Sequence, residues 1–160
     1  MLQVGQPAPS FTLPDASMEM MSLSSYKGKK NVVLYFYPKD GTPGCTIEAI
    51  GFSDRENEFT RLDTVVFGVS RDDVLSHAAF RDEHGLTVQL LADTEQEVSR
   101  LYDVIIEKIV NGATKACLQR HTFVIDKKGV VRHVMRDVNP KEHVDEVLKV
   151  CKQLHNGRAN

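Results

Sequence analysis

The stretch NVVLYFY at residues 31–37 constrains the fold more than any other feature of the chain. It is a continuous run of apolar, β-branched and aromatic residues closed by Pro38, a pattern typical of a strand buried on both faces. A second run of the same character lies at Thr64–Ser70. Between the two runs, apolar side chains of residues 45–62 recur at helical spacing. The sequence therefore predicts a βαβ unit with two parallel strands.

The rest of the chain continues this alternation and then adds antiparallel strands. In chain order we predict a helix that Gly85 ends, a strand at 88–93, a helix at 94–102 capped by Thr94, strands at 121–125 and 130–135 joined by the hairpin loop DKKG, and a last helix capped by Asn139. Residues 110–119 show no regular pattern and are predicted to form a loop. The expected fold is α/β, with a mixed central sheet flanked by helices. We expect residues 1–160 to form a single domain with a frayed tail at 156–160.

Composition and charge exclude several classes of function. The chain has 20 basic and 22 acidic residues and a net charge of -2, so we expect neither nucleic acid nor an anionic membrane as a partner. No apolar run approaches the roughly 20 residues of a membrane span, and the opening residues do not resemble a signal peptide. Three cysteines without a CxxC pair indicate reduced thiols. These features predict a cytoplasmic protein.

Cys45 lies at the kind of position where α/β sheets usually bind a ligand, just beyond the carboxyl end of a strand. Thr42, Pro43, Gly44 and Cys45 follow the carboxyl end of the first predicted strand and open a helix, with Thr42 as the cap and Pro43 in the first helical position. Free backbone N–H groups and the helix dipole favour negative charge at such a point. A thiol there tends to ionise.

The helix terminus alone supplies too little energy to stabilise a thiolate, so a cation is expected nearby. Glu48, one turn along the same helix, would repel the thiolate unless a guanidinium lies between them. Arg120, at the start of the strand HTFVID, is our candidate because its fork can bind both groups. The alternative is a buried structural thiol, since Cys45 shares its stripe with Ala49.

The segment PKDGTPGC contains the pattern PxxxTxxC and resembles the active-site motif of peroxiredoxins. The segments that are similar to the PrxQ, or bacterioferritin comigratory protein, subfamily are VGQPAPSFTLPD, YFYPKDGTPGCT, GVSRDDVLSHAAF, LLADTEQEV and RHTFVIDKKG. The resemblance implies a thioredoxin-like fold with an N-terminal extension and a thiol-dependent peroxidase that needs no metal or organic cofactor. It also implies Cys45 as the nucleophile, with Pro38, Thr42 and Arg120 as its partners, and Glu48 as a residue that orients Arg120.

The chain departs from the resemblance in how the oxidised cysteine is recycled. Many members of the subfamily carry a resolving cysteine where this chain has Ile50 or within residues 79–81, and neither place holds one here. We therefore expect a one-cysteine cycle in which thioredoxin, glutaredoxin or a low-molecular-weight thiol reduces a Cys45 sulfenic acid. Cys117 is an alternative resolving residue, whereas the apolar stripe around Cys151 indicates a packed structural thiol.

Two further alternatives stay open at the level of the sequence. Cys45 could serve a peroxide sensor or thiol relay rather than an enzyme, because oxidation of one thiol is chemistry common to all three. The six histidines include no pair at metal-ligand spacing, which argues against a zinc site. The resemblance suggests a monomer, although the apolar run from Ile105 to Val110 is either core or an exposed contact.

Overall fold

A mixed sheet forms the centre of the computed structural model, which describes residues 2–136 and 138–157. The strands of the described chain are β1 (Thr12–Pro14), β2 (Met20–Ser22), β3 (Asn31–Phe36), β4 (Thr64–Ser70), β5 (Gln89–Ala92), β6 (Ile105–Val110), β7 (Ala113–Leu118), β8 (Thr122–Ile125) and β9 (Val131–Met135). Its helices are α1 (Pro43–Asp54), α2 (Glu56–Arg61), α3 (Val74–His84), α4 (Glu97–Leu101) and α5 (Pro140–His155), with a 3₁₀ turn at Leu23–Tyr26.

The strands of the main sheet follow the order β5-β4-β3-β8-β9. β3 pairs in parallel with β4, and β4 with β5, whereas β8 is antiparallel to both β3 and β9. The predicted α/β fold with a mixed sheet is thus confirmed. β3 lies at the centre and is buried along its whole length, as its uninterrupted apolar pattern predicts.

The two faces of β3 belong to two hydrophobic clusters. Val33 and Tyr35 point to the cluster that packs α1, α2, α3 and α5 against the sheet. Leu34 and Phe36 point to the opposite cluster, which includes α4 and residues of the N-terminal segment. This alternation fixes which helices can approach the carboxyl end of β3, where the chain enters α1.

The N-terminal extension forms a small antiparallel hairpin of β1 and β2. Single bridges join Pro7 to Val130 and Asp15 to Leu91, so the extension contacts both edges of the main sheet. Of the predicted frayed tail, residues 158–160 lie outside the described residues. None of the helices in the described part of the chain is long and apolar enough to cross a membrane.

The long helix predicted for residues 45–62 is divided in two. The chain bends at Arg55, which has φ -100° and ψ 7°, between α1 and α2. Phe59 stays buried despite the bend because α2 packs against β4. An apolar stripe shows which side chains are buried but does not show whether the backbone that carries them is straight.

The helix predicted to start at Thr94 starts later, and Thr94 does not cap it. Gln96 precedes α4 in the left-handed conformation, with φ 60°. The buried Asp93 takes over the capping role: its carboxylate accepts hydrogen bonds from the backbone N–H of Val98 at 3.2 Å and of Ser99 at 2.7 Å. The prediction of a Thr94 cap was wrong because α4 starts only at Glu97, where its first free N–H groups lie within reach of Asp93 and beyond that of a Thr94 cap.

The loop predicted for residues 110–119 is also wrong. β6 and β7 form a two-stranded antiparallel hairpin that leaves the main sheet. Its turn is Asn111-Gly112, with φ 51° and 78°, the pair that a type I′ hairpin turn favours. The outer end of the hairpin is exposed, and Ile109 has 80% of its surface accessible.

Candidate active site

Cys45 lies in the first turn of α1, directly beyond the carboxyl end of β3. Thr42 is the residue before the helix and Pro43 opens it, as predicted. The Thr42 hydroxyl makes no capping bond to the helix and instead donates a hydrogen bond to the backbone carbonyl of Lys39 at 3.1 Å. Pro38 is half-buried at the start of the same loop. The Cys45 side chain is 1% exposed.

Arg120 reaches Cys45 from β8's side of the site. Its Nη2 donates to Cys45 Sγ at 3.3 Å, and its Nη1 donates to Glu48 Oε1 at 2.9 Å. One guanidinium therefore bridges a thiol and a carboxylate that lie one turn apart on α1. The sequence pointed to this arrangement, although the two contacts join residues 75 and 72 positions apart in the chain.

Glu48 is fully buried, although it lies on a helix near the surface of the sheet's end. Burial raises the pKa of Glu48 to about 7, and the neighbouring Arg120 charge opposes that rise. Burial lowers the pKa of Arg120, but the Glu48 and Cys45 charges more than offset this effect, so its pKa is raised overall. The guanidinium stays charged at any working pH, and the Glu48 carboxyl titrates near neutrality.

His143 completes the far side of this group, and the sequence reasoning missed it. Its Nε2 lies 2.6 Å from the Thr122 hydroxyl and 3.9 Å from Glu48 Oε2. Burial and the Arg120 charge lower the pKa of His143 to about 4, so the ring is neutral at pH 7. Its position was readable, because His143 precedes Val147 and Cys151 by four and eight residues on the buried stripe of α5.

Gly44 explains how Arg120 comes so close to the helix. A Cβ at this position would lie 3.2 Å from Arg120 Nη2 and 3.2 Å from Pro140 Cγ. The missing side chain makes room for the guanidinium beside the first turn of α1 and for the first turn of α5 behind it. The absence of a Cβ at Gly44 therefore allows the guanidinium of Arg120 to lie close to Cys45.

The other two cysteines lie on different elements from Cys45 and form no disulfide with it. All three are free thiols. Cys117 lies in β7, half-buried and paired in register with Ile106, and its Sγ points to the Lys115 carbonyl at 3.9 Å. Cys151 is buried in α5, as predicted, and burial raises its pKa to about 12. Neither thiol belongs to the group formed by Cys45, Arg120 and Glu48.

Comparisons with known proteins place this arrangement in context. The model of the AhpC/TSA family matches residues 4–134. The chain is 44% identical to a putative peroxiredoxin bcp of Coxiella burnetii, over 92% of this chain and 97% of that protein, and 42% identical to peroxiredoxin Bcp of Bacillus subtilis, over 96% and 97%. A solved structure of Xanthomonas campestris bacterioferritin comigratory protein, a protein described for alkyl peroxide reduction, is similar with a TM-score of 0.89 at 33% identity, over 97% of this chain and 98% of that one.

Proposed function

The chain belongs to the AhpC/TSA family and is a peroxiredoxin of the PrxQ/BCP type, a thiol-dependent peroxidase; on that premise we propose that the Cys45 thiolate is its peroxidatic nucleophile. We further propose hydrogen peroxide and organic hydroperoxides as substrates. The reduction of alkyl peroxides by the Xanthomonas relative supports the second class. An external thiol recycles the enzyme in a one-cysteine cycle.

The observation that carries this proposal is the contact of 3.3 Å between Arg120 Nη2 and Cys45 Sγ at the N-terminus of α1. Charge-assisted donation from a guanidinium and the partial positive charge of the helix terminus both favour the thiolate over the thiol. Both groups are fixed before a substrate arrives. They stabilise the negative charge that passes from sulfur to oxygen during the reaction without reorganising.

In the first step the Cys45 thiolate attacks one oxygen of the hydroperoxide, the O–O bond breaks, and the electron pair leaves on the second oxygen. Protonation of that oxygen gives water or an alcohol, and Cys45 becomes a sulfenic acid. Arg120 and the backbone N–H of Cys45 hold the peroxide oxygens. The Thr42 hydroxyl donates its proton to the Lys39 carbonyl, so its lone pairs serve as acceptors for the substrate O–H. Pro38 shields the sulfur from water.

Recycling needs two equivalents of a thiol. The first attacks the sulfenic sulfur, forms a mixed disulfide and releases water; the second displaces Cys45 and leaves as a disulfide with the first. Three features support an external thiol: Ile50 stands where many relatives have a cysteine, Cys117 is held in β7, and the Cys151 thiol is buried with a raised pKa. Thioredoxin, glutaredoxin and low-molecular-weight thiols all have the required chemistry. A monomeric state and a cytoplasmic location stay predictions from the sequence.

Intact-mass spectrometry after one equivalent of hydrogen peroxide, with a sulfenic-acid trap, tests the nucleophile and the recycling route together. We expect a trapped sulfenic acid in the wild type and in Cys117→Ser, and none in Cys45→Ser. An internal disulfide that disappears in both variants would make Cys117 the resolving residue instead. A Cys45 that stays a thiol would contradict the proposal, and oxidation without sustained turnover in the presence of a reducing thiol would favour a sensor or relay.

A further inference from the structure

The hairpin of β6 and β7 exposes large apolar side chains at its outer end. Ile109 and Val110, the last two residues of β6, have 80% and 43% of their surfaces accessible. Both belong to the apolar run whose sequence allowed either core or an exposed contact. Apolar side chains that stand together in water at the end of a hairpin outside the main sheet are typical of a surface that binds another protein.

The same end of the hairpin carries two like charges that repel each other. Lys108 in β6 is paired in register with Lys115 in β7, so both side chains lie on one face of the ribbon. Glu107 lies on the other face, because successive strand residues alternate. Among the described residues, no carboxylate forms an ion pair with either lysine. The outer end of the hairpin is therefore apolar and basic.

A cavity of the opposite character lies between the N-terminal segment, the start of α3 and α4. Its volume is about 420 Å³, and its apolar wall includes Phe11, Leu13 and Leu101. The charged residues that line it are all acidic, and they are Asp73, Asp93, Glu95 and Glu97. A cavity of this size accepts several side chains, and its walls favour an apolar group that carries positive charge.

The acids at the rim of this cavity are available to a partner. Asp93 is buried and already accepts hydrogen bonds from the start of α4. Glu95 and Glu97 are exposed, and within the described part of the chain neither pairs with a basic side chain. Two carboxylates thus face solvent at the cavity, as two ammonium groups do on the hairpin.

The cavity and the hairpin lie at the same end of the molecule. Leu101 lines the cavity and Ile105 begins β6 shortly after it. Arg71, close to the cavity residue Asp73, donates from Nη1 to the Ala116 carbonyl in β7 at 3.0 Å. The outer end of the hairpin stays exposed, so it does not fill the cavity of its own chain. Two copies related by a two-fold axis at this end can make the contact twice.

We propose that this end of the molecule is a self-association surface, and that in a symmetric dimer the outer end of each β6-β7 hairpin inserts into the acidic cavity of the other copy. Ile109 and Val110 leave water in the cavity. The two lysines meet the two glutamates of its rim, which removes the repulsion within the hairpin. Salt screens this attraction, so the dimer weakens as ionic strength rises.

The monomer predicted from the sequence is the species at low concentration in this proposal. The contact does not involve Cys45 or the residues that surround it, so it goes beyond the proposed function and does not depend on it. A peroxidase that never self-associates and a dimer without peroxidase activity are separate outcomes.

Two charge-reversed variants test the contact. Lys108→Glu/Lys115→Glu makes the hairpin acidic like the cavity, and Glu95→Lys/Glu97→Lys makes the cavity basic like the hairpin. Sedimentation velocity over a concentration series at low ionic strength should show a dimer for the wild type and a Kd at least about tenfold higher for each variant alone. In an equimolar mixture of the two variants each hairpin meets a cavity of opposite sign, so we expect the dimer to return.

Two further variants control for net charge and for folding. Lys29→Glu/Lys128→Glu changes the net charge as much as the hairpin variant does, but at the opposite end of the main sheet, and should dimerise like the wild type. Ile109→Ser removes an exposed apolar side chain and should raise the Kd at low and at high salt. The rate of Cys45 oxidation by hydrogen peroxide should stay at the wild-type value in every variant that is folded.

A wild type that sediments as a monomer at every concentration would overturn the proposal. A dimer that the hairpin and cavity variants leave intact would overturn it too, because another surface would then hold the copies together. If each variant loses the dimer and their mixture does not regain it, hairpin and cavity do not meet each other. Species that grow beyond a dimer with concentration would contradict the two-fold closure.

Discussion

Cys45 and Cys151 are equally buried, at 1% and 0% exposure, and belong to one hydrophobic cluster, yet the polar and charged groups around them differ. Cys45 lies in the first turn of a helix, with a guanidinium nitrogen 3.3 Å from its sulfur. Cys151 lies near the end of α5 in an apolar environment, where burial raises its pKa to about 12 and a hydrogen bond with Thr64 offsets this only in part. Burial alone makes a thiol inert, and the reactivity proposed for Cys45 depends on what replaces the water around it.

Removing the guanidinium should make Cys45 resemble Cys151, and this is the largest effect we expect. Arg120→Met is predicted to slow the oxidation of Cys45 by hydrogen peroxide about 10³-fold, because the variant loses a fixed donor to the thiolate and to the peroxide oxygens. Stopped-flow oxidation with product identification by mass spectrometry measures this rate. The double variant Arg120→Met/Glu48→Gln checks the result without leaving a buried carboxylate unpaired.

Arg71→Met is the matched control, because Arg71 Nη1 donates at 3.0 Å to the Ala116 carbonyl in β7 and not to the cysteine. We expect its oxidation rate to stay within about twofold of the wild type. If Arg120→Met reacted at the wild-type rate, the guanidinium would not be what distinguishes the two buried thiols.

Glu48→Gln tests the second difference between the two environments, a buried acid beside the reactive thiol. The folded chain keeps the Glu48 proton up to a pKa of about 7, whereas the ordinary pKa of a glutamate in an unfolded chain is 4.5. Between these values the unfolded state binds fewer protons, so this carboxyl makes the free energy of unfolding fall as pH rises. Gln carries no such charge and keeps an oxygen for Arg120.

The variant is therefore expected to gain stability relative to the wild type as pH rises from 5 to 8, by up to about 3 kcal/mol. Urea denaturation at both pH values measures this gain. Glu58→Gln is the control, since Glu58 pairs with Arg55 at the surface at 3.4 Å and should shift stability by less than about 1 kcal/mol. Parallel curves for the wild type and Glu48→Gln would mean that pairing with Arg120 outweighs burial.

The sequence predicts more of the fold than of the active site. The apolar runs of β3 and β4, the Gly85 end of α3 and the Asn139 start of α5 are local patterns, and the structure confirms them. The hairpin of β6 and β7 was missed although its Asn-Gly turn was readable, because its exposed strands lack the alternation that marks a half-buried sheet. A local sequence pattern does not reveal a strand whose side chains are exposed on both faces, because no burial constrains which residues alternate.

The active site could be predicted from the sequence only in part, for a different reason. The PxxxTxxC resemblance and the need for a cation pointed to Cys45 and Arg120, but only the fold brings their atoms together. His77 and His143 were missed because a buried histidine depends on partners from other elements, such as Asp40 and Thr122, that no periodicity reveals. Sequence patterns show which face of an element is buried, and not which polar groups meet there.

Gly44→Ala tests the distance between Arg120 and Cys45 rather than the presence of either, and it is the smallest effect that we predict. The new Cβ would lie 3.2 Å from Arg120 Nη2, so the guanidinium must move by a few tenths of an ångström. We expect the oxidation rate to fall by roughly three- to tenfold, since electrostatic stabilisation is sensitive to donor position. Stability should change by less than about 1 kcal/mol, because Ala is the better helix former.

Gly51→Ala separates this effect from a general disturbance of the same helix. A Cβ at Gly51 would lie 2.8 Å from Val144 Cγ2 in the contact between α1 and α5, which predicts a loss of about 1–3 kcal/mol from overpacking. Its folded fraction should nevertheless oxidise at the wild-type rate, because Gly51 does not contact Arg120. Slow oxidation in Gly44→Ala with normal oxidation in Gly51→Ala would show that the reactivity of Cys45 follows the position of one guanidinium. If both variants lost rate in proportion to their stability, the packing of α1 as a whole would distinguish Cys45 from Cys151.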